Sequence, residues 1–257
     1  MKNSILQNKI FKIVLAFVFW FGVWYITAYA IDKDVFLPYP HTVVNRLFVL
    51  IQNPEFFKVV AASLIRIITG FAIGTVVGFF LALLTNFSCI AEAIIAPSIR
   101  VIRATPVVSF ILLAYLWLDN DTIPAFISVL MVAPIIWQNV SSGLSNLDNS
   151  LSEMADVFKI RKTKRFLKII FPQLWPYLYS GCVTSLGLAW KSGVAAEVIS
   201  YPKIAIGKEM NEAKVLLETA DVLVWTLTLI LLSVVFEFLF KALFRKRMQR
   251  GKGNNDD

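Results

Sequence analysis

The chain has 257 residues, of which 58% are hydrophobic, 14% aromatic and only 16% charged. So little polar surface cannot clothe a water-soluble globule of this length, which places the protein in a bilayer. The net charge of +8 is confined to short stretches and tails between apolar runs, which excludes a nucleic-acid partner reading one solvated basic face.

Several apolar runs approach the roughly 20 residues that cross about 30 Å of hydrocarbon. The expected fold class is all-α: a polytopic membrane protein of six transmembrane helices with a cytoplasmic loop. It forms a single domain over residues 1–257 with its core at about 59–245. Lys2, Lys9 and Lys12 precede the first run, 13–31, where Ala28-Tyr29-Ala30 mimics a signal-peptidase site. The length of the run, with Trp20, Trp24, Tyr25 and Tyr29, favours an uncleaved helix with an interfacial aromatic belt. After Pro38 and Pro40, Val43, Val44, Leu47, Leu50 and Ile51 recur at helical spacing, predicting a short amphipathic helix on the membrane surface.

A second span is predicted at 59–84, where Gly70, Gly74 and Gly78 share one face suited to close helix packing. A third runs over 101–118, interrupted near its start by Pro106, and a fourth over 123–140 with Pro134 inside it. The stretch 141–168 carries no membrane-length apolar run and concentrates Lys159, Arg161, Lys162, Lys164, Arg165 and Lys168. A fifth span follows at 177–199 and a sixth at 222–244, before a basic tail.

The predicted topology puts 17 Lys and Arg on the side of the termini and the central loop, against 6 on the other. The excess marks that side as cytoplasmic. Cys89 and Cys182 have no metal-ligand spacing, and His41 is the single histidine, so neither a metal centre nor a catalytic residue is expected. No internal repeat of the kind found in secondary transporters is visible.

From Glu153 the central loop reads Glu153-Met154-Ala155, then Lys159, then Ile169, Phe171 and Pro172. It resembles the cytoplasmic loop of binding-protein-dependent ABC importer permeases: Glu-Ala-Ala, three residues, Gly, nine residues, Ile-x-Leu-Pro. Glu153, Ala155, Ile169 and Pro172 match at full spacing, while Met154, Lys159 and Phe171 depart from it. A glycine in place of Lys159 would supply a left-handed turn, which a side chain makes costlier by about 1–2 kcal/mol. Ser150 or Ser152 is the expected cap for a helix carrying Glu153 near its positive end.

Leu37-Pro38-Tyr39-Pro40, Ser63-Leu64-Ile65-Arg66 before Gly70-Phe71, Arg103-Ala104-Thr105-Pro106 and Gly187-Leu188-Ala189-Trp190 with Ala195-Ala196-Glu197 resemble the nitrate, sulfonate, taurine and bicarbonate branch. This resemblance implies a loop, at about 144–172, that seats in an ATPase through Glu153, Met154, Ala155, Val157, Phe158, Lys159, Ile160, Arg161, Ile169 and Pro172. The implied partners are a separate ATPase holding ATP and Mg, an extracytoplasmic solute-binding protein, and a second copy of the chain in a bacterial inner membrane. No Gly-x-x-x-x-Gly-Lys-Ser/Thr occurs in the sequence, so no cofactor is expected in this chain.

Arg66, Lys191 and Glu197 fall in or near apolar spans, where an ionisable group faces protein or a watery cavity. With Trp190 they are candidates for lining a path for an anionic solute; structural pairing is the other reading. Lys191 and Glu197 are six residues apart, hence about 120° apart around a helix, and do not pair within it. The rival functions are an ion-coupled secondary transporter using Glu197 and, with no convergent catalytic groups to support it, a membrane-embedded hydrolase. A central loop that instead lies on anionic lipid demands charge but no fixed spacing.

Overall fold

The computed structural model describes residues 9–252, and its regular elements are all helical. They are α1 (Lys9–Ile31), α2 (Pro40–Ile51), α3 (Pro54–Phe87), α4 (Cys89–Ala104), α5 (Val107–Ala114), α6 (Ile123–Ser145), α7 (Asn149–Val157), α8 (Lys162–Arg165), α9 (Phe171–Ser200), α10 (Ile206–Val215) and α11 (Thr219–Lys252). A π-helical turn, Phe166–Ile170, joins α8 to α9 without a break. Among these, α1, α3, α6 and α11 are long and apolar enough to cross a membrane, and the α4–α5 pair makes a fifth if it is one span. Lys2 lies outside the described residues.

The third expected span differs most from the sequence reading. Instead of one helix over 101–118, α4 and α5 are separate helices bent by 102° around Thr105-Pro106. Pro106 has no N–H to continue the ladder of α4, and it disfavours the helical conformation for Thr105, whose ψ is 133°. The fifth helix also begins earlier than its apolar run, because the basic half of the central loop is itself helical and continuous with α9. The loop 200–221 contains α10.

The centre of the protein is α6 packed between α3 and α9. Close approach to α3 is possible because Gly70, Gly74 and Gly78 are buried at that contact. A methyl group placed on Gly70 or Gly78 would stand 2.5 Å from the carbonyl oxygen of Ala125 or Ala133, and one on Gly74 would stand 2.8 Å from Val132 Cβ. Without side chains on this face the backbones meet directly, replacing by van der Waals packing the hydrophobic drive that lipid cannot supply. Around this seam Ile67, Phe71, Val132, Ile136, Val140 and Leu186 form the main apolar core.

The amphipathic α2 rests on α11. Its Arg46 donates to both carboxylate oxygens of Asp221, at 2.5 and 2.8 Å, and this pairing raises the Arg46 pKa. The first helix stands apart: Phe17, Phe19 and Trp20 are exposed, and its Trp24 Nε1 donates to the Pro38 carbonyl at 3.2 Å.

Candidate functional site

The central loop builds a compact helical element from local rules. Asp148, not Ser150 or Ser152, caps α7: its carboxylate accepts from the Ser150 backbone N–H at 2.9 Å and the Ser150 hydroxyl at 2.6 Å. These bonds, the hydroxyl first, hold the Asp148 carboxyl below the usual carboxylate range. Glu153 therefore lies two turns or less from the positive end of a helix, as expected.

At the other end of α7, Lys159 has φ 49°, the left-handed conformation that favours glycine. Its N–H donates to the Asp156 carbonyl at 3.1 Å and that of Ile160 donates to the Ala155 carbonyl at 2.9 Å. These two bonds form the reverse turn that closes helices with a left-handed residue. The turn is thus made with lysine where the motif has glycine. Arg165 pairs with Asp156 at 2.5 Å, and the Gln173 side-chain oxygen accepts from the Asp148 N–H at 3.0 Å, folding the loop back on the start of α9.

Ala155 faces inward at 1% exposure, whereas Val157 and Phe158 stand out at 78% and 73%, beside the exposed Met154. Glu153, Lys159, Arg161 and Pro172 are exposed, and Ile160 and Ile169 are half-buried. The loop thus presents an apolar tip ringed by charge.

The four membrane candidates separate into two environments. Glu197 is fully buried. Its carboxylate accepts from Arg66 Nη1 at 2.8 Å, from the Ser63 hydroxyl at 2.8 Å and from the Gly207 N–H at 3.2 Å. Arg66 Nη2 reaches the Ile204 carbonyl at 3.3 Å and Asp121 at 3.5 Å. Trp190 is also buried, donating from Nε1 to the Leu229 carbonyl of α11 at 3.2 Å. Lys191 alone is exposed, and it forms no ion pair among the described residues. It continues an exposed stripe of α9 that carries Pro172, Pro176, Ser180, Thr184 and Leu188. A methyl group on the adjoining Gly187 would meet nothing within 4 Å.

Sequence reasoning missed Ser63 as a partner of Glu197, since a serine in an apolar helix carries no signal of its own. It also missed Asp121, which lies in the connection between the third and fourth predicted spans. No group of three or more His, Cys, Asp or Glu side chains among the described residues could hold a metal ion.

The fold and site are those of a helical membrane protein with an exposed, capped loop helix and a partly polar exposed helix face. Residues 74–249 match the family of binding-protein-dependent transport system inner membrane components, and the chain belongs to that family. It is 28% identical to a probable ABC transporter permease protein of Brucella melitensis biotype 1, over 92% of this chain and 95% of that protein. It is 26% identical to the putative aliphatic sulfonates transport permease protein of Bacillus subtilis strain 168, over 83% and 77% of the two chains. It is 28% identical to the nitrate import permease protein of Synechocystis sp., over 77% and 74%. The crystal structure of an amino acid ABC transporter with histidines shares the fold, with a TM-score of 0.64 at 16% identity, covering 78% of this chain and 97% of that one. The chain is an ABC transporter permease of an inner membrane, and the family is one of transport components rather than enzymes.

Proposed function

We propose that this permease is one domain of six membrane spans, with α9 as the fifth span and both termini cytoplasmic, working as a homodimer on a separate ATPase. The observation that carries the reading is the exposed Met154, Val157 and Phe158 tip of α7, set on a capped helix at the spacing of the family motif. An apolar tip with a charged rim suits a groove in a protein partner, where buried aromatic and aliphatic anchors supply most of the binding energy. Glu153, Lys159 and Arg161 then form the polar rim, and Ile169 and Pro172 fix the junction with α9. ATP and Mg belong to the partner, and an extracytoplasmic binding protein delivers the solute.

The solute is a small anion. The support is the names of relatives that carry nitrate and aliphatic sulfonates, together with the position of Lys191 on the exposed stripe of α9. Two copies meeting along that stripe would share a path between them, with Lys191 offering a cation to the cargo. Arg66 and Glu197 are assigned instead to holding the helix ends, because their charges are already matched inside the chain. That internal match also weakens the ion-coupled alternative, which needs a carboxylate open to the solvent path.

The test is co-purification from membranes of cells expressing the tagged chain with its cognate ATPase. The double variant Glu153→Lys and Phe158→Asp should remain in the membrane and lose the ATPase, with at least tenfold less recovered. Normal recovery of the ATPase by that variant would reject the coupling role of α7.

A further inference from the structure

Beyond the end of α9 the backbone of residues 203–207 is gripped from several directions by side chains of other elements. The Lys203 N–H donates to Asp121 Oδ1 at 3.0 Å, and the Ile204 carbonyl accepts from Arg66 Nη2 at 3.3 Å. The Ile206 N–H donates to the Ser63 hydroxyl at 2.9 Å, and the Gly207 N–H donates to Glu197 Oε2 at 3.2 Å. Ser63 is fully buried and serves both ways, accepting from Ile206 and donating to Glu197 at 2.8 Å. The contact has no slack at Gly207, where a methyl group would stand 2.5 Å from both Glu197 Cβ and the Val198 nitrogen.

All four gripped groups are main-chain groups, so the grip acts on the path of the backbone rather than on the segment's side chains. The gripping residues come from α3 (Ser63, Arg66), the turn after α5 (Asp121) and the last turn of α9 (Glu197). The other end of α9 is continuous, through the π turn and α8, with the docking loop. One helix therefore links the surface expected to meet the ATPase to a clamp on the opposite connection.

We propose that Ser63, Arg66, Glu197 and Asp121 form a clasp that transmits movement of α9 to α3 and to segment 201–215, so that these parts shift together when the partner binds nucleotide. The clasp stays closed through the cycle. Its members are positioning residues and touch no solute. A buried carboxylate tied to a guanidinium and a hydroxyl resists separation, because any opening leaves charge unpaired in a low-dielectric site. A purely apolar contact at this point would let the segment slide instead.

The inference rests on the coupling reading above, and the experiment separates the two. The tagged chain carries Cys89→Ser to remove the exposed native thiol and Val215→Cys, an exposed site on the driven segment 201–215, as the reporter. It is assembled with its ATPase in proteoliposomes. Labelling by a membrane-impermeant maleimide is compared without nucleotide and with ATP plus orthovanadate, and ATP hydrolysis is measured in parallel. With the clasp intact, the labelling rate should differ at least fivefold between the two conditions. Ser63→Ala and Glu197→Gln should keep hydrolysis within about twofold while that difference falls below twofold. Asp121→Ala, at a partly exposed site that leaves the core filled, should lower the difference without loss of assembly. A full labelling response in any assembled clasp variant would overturn the proposal, as would no response with the clasp intact in a complex that hydrolyses ATP. If Ser63→Ala and Glu197→Gln fail to assemble, a full response in Asp121→Ala reduces the clasp to a folding element and equally overturns it. A starting complex that neither forms nor hydrolyses ATP would count against the coupling reading and not against the clasp.

Discussion

Replacing Lys159 by glycine should tighten the turn that ends α7, and the size of the effect follows from the backbone. Lys159 sits at φ 49°, where an L side chain costs about 1–2 kcal/mol relative to glycine. Glycine gives back about 0.5–1 kcal/mol through the greater freedom of the open chain. The net gain is therefore about 0.5–1 kcal/mol, or roughly a two- to fivefold shift toward the closed turn. The bonds that report it are the Lys159 N–H to Asp156 and the Ile160 N–H to Ala155. Amide hydrogen exchange of the purified protein in detergent should slow by that factor at residues 159 and 160, with α6 unchanged as an internal standard. Lys159→Ala provides the control, since alanine keeps the Cβ, and with it the left-handed strain, while removing the rest of the side chain and its charge. Equal slowing in Lys159→Ala, or no slowing in Lys159→Gly, would refute the strain argument.

Lys191→Met should insert and recover the ATPase normally yet reduce uptake at least tenfold, measured with nitrate, bicarbonate and an alkyl sulfonate as trial solutes; uptake at the unmodified rate for a transported solute would remove Lys191 from the path. Cysteines placed at Lys162 and Lys214 in a chain carrying Cys89→Ser should label on opposite sides. A membrane-impermeant reagent added outside intact cells should reach residue 214 and not 162, and the reverse pattern would invert the topology.

How much of this was legible in the sequence varies with the range of the interaction. The packing face of Gly70, Gly74 and Gly78 could be read because helical periodicity alone sets which residues share a side, and the partner helix need not be known. The helical shape of the central loop could be read because its capped helix, turn and following helix are local in the chain, although the cap itself fell to Asp148. A carboxylate one residue before the helix competes directly with the serines that follow, and its Oδ1 alone accepts from both the N–H and the hydroxyl of Ser150. The bend of 102° at Pro106 was only half visible: proline signalled an interruption, but neither its angle nor the helix before it is fixed by local sequence. The clasp was least legible. Ser63 and Glu197 are 134 positions apart, and Arg66 and Asp121 are 55 apart, so only the packed fold brings these side chains together.

The exposed faces of the protein differ in a way that bears on where lipid lies. Along α11 the exposed large apolar residues are Ile230, Leu231, Val234, Val235, Phe238 and Leu239, and the charges beside them, Glu237 and Lys241, pair with each other toward the end of the apolar stretch. The exposed stripe of α9 instead carries Ser180, Thr184 and Lys191. Facing lipid near mid-span, a lysine would cost at least about 2.5 kcal/mol, and two hydroxyls would add to the mismatch. Pairing with Glu197 would offset that cost, but Glu197 points to the opposite environment and already holds Arg66, Ser63 and Gly207. Among the described residues no carboxylate pairs with Lys191, so under the proposed path its charge would be met by water or by a polar surface of a second copy. Both of these occur together where two permeases face each other across an aqueous path, and neither occurs on a helix side turned to lipid.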